Sequence, residues 1–462
     1  MGKKTIEENT ITEGIIWKQL LIFFFPILFG TLFQQIYNTA DTVVVGRFVG
    51  KEALAAVGGS SSMIVNLIVG FFVGLCSGAA VVISQFYGAK DHKNLKKALH
   101  TSMIFCLAAS IIVGTAGFIL AEPILHLMKT PAEVIPDSVL YLHIYFAGTF
   151  FNLVYNMVSS ILRAVGDSKR PLYVLIITCV LNIILDLWFV IGLNRGVAGA
   201  AEATVIAQYL SGIGIAVYTF MRFPQVRSIC RIRCLRRERV RGIISFSTLT
   251  CVQQSVMNLG ILMVQGLVNS FGSVVMAAFA AAVKIDAFSY IPVQDFGNAF
   301  STFIAQNYGA KESARIRAGL KSAVCISMAF CVVISALVCA FARPLMMIFV
   351  DAGETEVIME GVRYLRIEGA FYCGIGCLFL LYGLYRALGK PGMSVVLTVI
   401  SLGTRVALAY LLSAVPAFGV NGIWWSVPIG WALADLVGLL YYRSRKKALL
   451  SFEQEKVVVR KG

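Results

Sequence analysis

The chain has 462 residues, of which 58% are apolar and 14% charged, and its mean hydropathy is +0.80. A soluble globular domain is nearer half apolar and a quarter charged, so these figures exclude a water-soluble fold and define an integral membrane protein. The formal charge of +16 is assigned to membrane topology, which gathers Lys and Arg on one side of the bilayer, and not to nucleic-acid binding.

Apolar runs long enough to cross a bilayer, roughly 20 residues each, predict twelve helices in chain order. The first, near 15–45, is too long for a signal-peptide core and shows no cleavage site, so it is expected to stay attached as a span. Pro26 lies in its middle and predicts a kink or hinge, because proline removes a backbone donor. Gln34, Asn38 and Asp41 follow at i, i+4 and i+7, a polar stripe on an apolar helix. Spans two and three cover 53–87 and 98–121, and span four, 135–162, carries Asn152 and Asn156 one turn apart as a polar wall for a substrate cleft. Span five, 171–193, has a second stripe, Thr178, Asn182 and Asp186, and span six, 198–221, brings Thr204. Counting from the outer connectors at 1.5 Å per residue puts Asp41, Asp186 and Thr204 at one depth, roughly 8 to 12 Å below the surface. Carboxylates, an amide and a hydroxyl converging at that depth suit a hard monovalent cation or shared protons.

A basic stretch at 222–242 is the expected cytoplasmic linker between an N-terminal lobe, 1–221, and a C-terminal lobe, 243–462, which ends in a short tail. Span seven, 243–270, offers Gln253 and Gln254 to the cleft but no acid. Span eight, 273–308, holds Lys284, Asp286 and Asp295; span nine is 322–342; span ten, 357–387, holds Glu368. Spans eleven and twelve, 391–413 and 421–442, hold Arg405 and Asp435. Unpaired charges in lipid are costly, so Lys284 and Arg405 are expected to form an ion-pair network with Asp286, Glu368 or Asp435. Asp286 and Glu368 also count as cleft candidates. The 11 Cys fall mostly inside apolar helices, where thiols pack as small hydrophobes. Their spacings match no zinc motif, and neither a metal site nor a disulfide framework is expected.

With these spans, 31 of the 40 Lys and Arg fall on one side, which places both termini in the cytoplasm. The halves repeat at an offset near 220: Ile83 to Lys90 recurs as Ile304 to Lys311 with six of eight residues identical. Ala121-x-Pro123 recurs at Ala342, Arg163-Ala-x-Gly166 at Arg386, Gly196-Val-x-Gly199 at Gly419 and Gln34-Gln35 at Gln253. Six spans per repeat is an even number, so the repeats are parallel.

Gln34-x6-Asp41-Thr-x3-Gly46, Leu54-Ala-Ala-Val-Gly58 and Arg163-Ala-x-Gly166-Asp167 resemble the multidrug and toxic compound extrusion (MATE) family, in particular its DinF-like branch, along essentially the whole chain. The resemblance implies an all-α, V-shaped two-lobe transporter of twelve membrane helices in two parallel six-helix repeats. It implies an antiporter that exports diverse organic, often cationic, compounds in exchange for inward Na⁺ or H⁺ across the cell (inner) membrane. The cation site it implies is Asp41, Asn182, Asp186 and Thr204, oriented by Tyr141, with Gln34, Asn38 and Thr178 as support. The expected partners are small organic substrates and membrane lipids; the chain is expected to act as a monomer without a cofactor beyond the coupling ion. The alternative is a flippase for lipids or lipid-linked saccharides from the same superfamily, with Lys284 and Arg405 facing a phosphate. A membrane enzyme is excluded by the lack of H-E-x-x-H, G-x-S-x-G or an acid dyad beside a nucleophile.

Overall fold

The computed structural model describes residues 11–128, 130–222 and 237–450. The first repeat is α1 (Ile16–Phe48), α2 (Lys51–Gly58), α3 (Ser60–Gly88), α4 (His92–Leu127), α5 (Ile135–Ala164), α6 (Lys169–Asp186) and α7 (Gly196–Arg222). The second is α8 (Arg237–Asn269), α9 (Ser273–Gly309), α10 (Ser313–Met346), α11 (Thr355–Gly369), α12 (Tyr372–Ala387), α13 (Pro391–Ser413) and α14 (Val420–Leu450). α2 and α3 form one span interrupted at Gly59, α6 continues into a π-helical turn over Leu187–Gly192, and α11 and α12 are one span bent by 51°. Each of the twelve sequence spans has its helix, and among the described residues no strand occurs.

The backbone repeats as the sequence does. Lys90 and Lys311 both adopt left-handed φ, 55° and 61°. Gly50 and Gly272, Gly166 and Gly389, and Gly196 and Gly419 match in the same way. A non-glycine residue at positive φ is uncommon, so the same exception at equivalent lysines marks a shared turn. In each repeat the fourth span is central: α5 packs on α3, α4 and α7, and α11 with α12 packs on α9, α10 and α14.

Lipid tails are as apolar as the side chains they meet, so burial in the membrane does little to join helices; close backbone approach does more. Gly74 and Gly78 on α3, four apart, show this. A Cβ on Gly78 would stand 2.6 Å from the Cα of Ser247 on α8, and one on Gly74 3.0 Å from that of Cys251. Elsewhere the helices turn apolar side chains outward, among them Ile111, Ile112 and Ile119 on α4 and Val332 and Val333 on α10.

The compact units do not follow the repeat boundary at 221. One unit runs from Phe25 to Cys251; the other joins the described residues up to Phe24 to those from Val252 onward. The first third of α1 thus belongs with the second repeat, and the first half of α8 with the first. Most of the expected linker at 222–242 lies outside the described residues.

Candidate functional site

Asp41 on α1, Asp186 on α6 and Thr204 on α7 meet inside the Phe25–Cys251 unit, with Asn182 one turn before Asp186, and all four are buried. The Thr204 hydroxyl donates to Asp41 Oδ2 at 3.2 Å, a contact spanning 163 residues of chain. The Asp186 carboxyl faces that of Asp41, and Tyr141 lies beside both. Among the described residues, the second oxygen of Asp41, both oxygens of Asp186 and both amide atoms of Asn182 have no hydrogen-bond partner. Neither acid forms an ion pair with a basic side chain there either. Directly after Asp186 the helix widens into the π turn, where Leu193 N–H reaches the Trp188 carbonyl. Such bulges break the regular ladder and gather at functional positions.

Three residues join this set that sequence reasoning missed. Tyr37, one turn before Asp41, sits beside Thr204. Tyr145, one turn after Tyr141, stacks on it with ring centroids 6.3 Å apart. Gln208, one turn after Thr204, lies beside Tyr145. The helical period of the residues already singled out was the signal that could have found them. Further along α5, the Asn152 amide donates to the Tyr145 hydroxyl at 3.5 Å, and the Asn156 amide donates to Asn152 Oδ1 at 2.7 Å. A polar row therefore runs along α5 from the acid pair to the expected cleft residues.

Other expected residues stand elsewhere. Gln34 and Asn38 are exposed, so the predicted stripe on α1 is buried only at Asp41. Thr178 returns its hydroxyl to the carbonyls of Val174 and Leu175 on its own helix. A hydroxyl satisfied in this way needs no ligand.

In the other unit, Asp286, Glu368, Tyr364, Tyr372 and Arg405 form a second cluster. Glu368 is 2% exposed and Gln253 6%; Gln254 and Asp286 are half-buried. The expected network is smaller than drawn from sequence. Lys284 is exposed and lies over the Phe349 ring at 6.0 Å, and Asp435 sits against Cys377. Arg405 alone stands beside acids, near Asp286 and Glu368, with its buried Nε unpartnered among the described residues.

Twelve spans in two parallel repeats, with a buried acid pair that has no counter-charge among the described residues, are the architecture of a multi-pass membrane protein. A family model described as MatE matches residues 26–188 and 250–411, one segment in each repeat, and the chain belongs to that family. It is 30% identical over 446 residues to the "Probable multidrug resistance protein YpnP" of Bacillus subtilis, covering 96% of this chain and 99% of the relative. It is 21% identical to the "Multidrug export protein MepA" of Staphylococcus aureus over 92% of this chain and 93% of that one. Among solved structures, the outward-facing conformation of a multidrug resistance MATE family transporter superimposes with a TM-score of 0.90 at 24% identity. That match covers 97% of this chain and 99% of the other.

Proposed function

We propose that the protein is an alternating-access antiporter that exports organic, mainly cationic, compounds and takes in Na⁺ or H⁺ in exchange. The observation that carries this reading is the buried Asp41 and Asp186 pair, which has no basic partner among the described residues. Two carboxylates held together in a low-dielectric interior repel each other unless protons or a cation join them. The Thr204 hydroxyl, the Asn182 amide and the Tyr141 ring complete an oxygen-rich surround. The names of the relatives, a multidrug resistance protein and a multidrug export protein, support organic compounds as the cargo.

In this reading the coupling ion reaches the pair from the outside and neutralises it. The outer part of α1 then moves about Pro26, and substrate leaves. Substrate arriving from the cytoplasm favours the other state and releases the ion. Exchange requires that ion and substrate prefer opposite states, since a ligand with equal affinity for both shifts nothing. Both termini are placed in the cytoplasm of a cell-membrane protein working as a monomer; the 31 basic residues on one side of the predicted spans support the orientation.

Efflux of ethidium from proteoliposomes, driven separately by a Na⁺ and a pH gradient, tests this. One gradient is expected to drive transport that Asp41→Asn abolishes. Equal efflux by wild type and a folded Asp41→Asn variant would overturn the reading.

A further inference from the structure

The segment before α1, for which the sequence predicts no element, is held by an arginine. Arg315, in the first turn of α10, donates from Nη1 to the Gly14 carbonyl at 3.0 Å. Its Nη2 donates to the carbonyls of Ile11 and Glu13, each at 3.2 Å. Its Nε donates to Asn307 Oδ1 at 3.2 Å, and the Asn307 amide reaches the Ile11 carbonyl and, at 2.8 Å, that of Phe303. The guanidinium stands over the Phe303 ring at 6.0 Å, and Ile11 is buried. Gly14, at a φ of +76°, makes the turn that aims these carbonyls at one side chain; a residue with a Cβ would be strained there. A planar fork with five donors suits several acceptors in fixed directions, as an ammonium does not.

Beyond this clamp, Leu20, Phe23 and Phe24 are buried in the same unit, and Phe24 meets Phe296 edge to face at 5.4 Å. From Phe25 the helix belongs to the other unit and runs to Asp41. Pro26, just past the change, cannot donate to the Ile22 carbonyl, so the helix is weakest there. The clamp is not part of the repeated scaffold: the offset of 221 that aligns Ile83 with Ile304 puts Asn94 opposite Arg315 and Phe86 opposite Asn307.

We propose that Arg315 is a positioning residue of the transport cycle: by gripping the backbone of Ile11 to Gly14 it fixes one end of α1 in the second unit while the other end carries an acid of the ion site. A displacement of the outer part of α1 then works against a fixed end and is passed to the second unit; with the end loose, it is absorbed as sliding. This rests on Asp41 being the coupling acid.

The test uses full-length protein in proteoliposomes, with ethidium as probe, comparing Arg315→Ala, Arg315→Lys, a chain lacking residues 2–14, and that truncation combined with Arg315→Ala. Losing several charge-assisted hydrogen bonds is expected to lower the maximal rate about tenfold, with ethidium KM and binding unchanged. Arg315→Lys should recover part of the rate, and the combined variant should be no slower than either single one, because both remove one interaction. A wild-type maximal rate in Arg315→Ala, losses that multiply in the combination, or a loss carried by KM would each overturn the proposal. Hydrogen exchange over residues 11–24 keeps the two readings apart. Faster exchange in Arg315→Ala supports the clamp even if Asp41→Asn still transports, which would sink only the ion-site reading; unchanged exchange overturns the clamp.

Discussion

The two units answer the same architectural question differently. The offset of 223 that aligns Arg163 with Arg386 also places Tyr141 opposite Tyr364, Tyr145 opposite Glu368 and Asn182 opposite Arg405. Arg405 therefore stands in the place of the site's amide. In the first unit two buried acids face each other with a hydroxyl, an amide and tyrosines around them. In the second, the acids Asp286 and Glu368 have a guanidinium of their own beside them. One scaffold thus holds an acid pair with no basic partner among the described residues and an acid pair that brings its own cation. The bend between α11 and α12 adds to the difference, since its equivalent, α5, is continuous.

The contrast can be broken from either side. Asp186→Asn should abolish gradient-driven ethidium efflux, whereas Glu368→Gln, in an equally central place, should leave a substantial rate; proteoliposome assays of both check this. Removing Arg405 should cost stability before function. Arg405→Ala leaves the buried Glu368 and the half-buried Asp286 without their cation, and a penalty of up to about 3 to 5 kcal/mol is expected, visible as a lowered Tm in detergent. Glu368→Gln in the same chain should recover part of it. Gly78→Ala should destabilise by about 1 to 3 kcal/mol through overpacking against Ser247, without altering which ion drives transport. Thr204→Val removes a hydrogen bond to a charged group, so the half-saturating concentration of the driving ion should rise about tenfold. That shift is to be measured at fixed ethidium concentration.

Much of this was readable from residue order. The spans follow from apolar runs, and counting depth along three of them brought Asp41, Asp186 and Thr204 together, because in lipid a helix rises steadily between known surfaces. Depth does not say which way a side chain faces. Gln34 and Asn38 share the helical face of Asp41 and are nevertheless exposed, since burial depends on where neighbouring helices end. Thr178, expected to support the site, bonds the carbonyls of its own helix, a capacity that residue order alone does not reveal. Lys284 drew a partner on the assumption that a charge within a span must be buried, whereas it is exposed over Phe349. The exchange of helix ends between units, and with it the Arg315 clamp, was hidden because sequence repeats record ancestry and compact units record packing.

The most direct measurement is ion release on substrate binding. Tetraphenylphosphonium is added to purified protein in weakly buffered detergent, and proton and Na⁺ concentrations are followed. Wild type and Glu368→Gln are expected to release the same ion in the same amount, and Asp186→Asn to release none. Release that survives in Asp186→Asn, or that disappears only in Glu368→Gln, would move the coupling site out of the first unit.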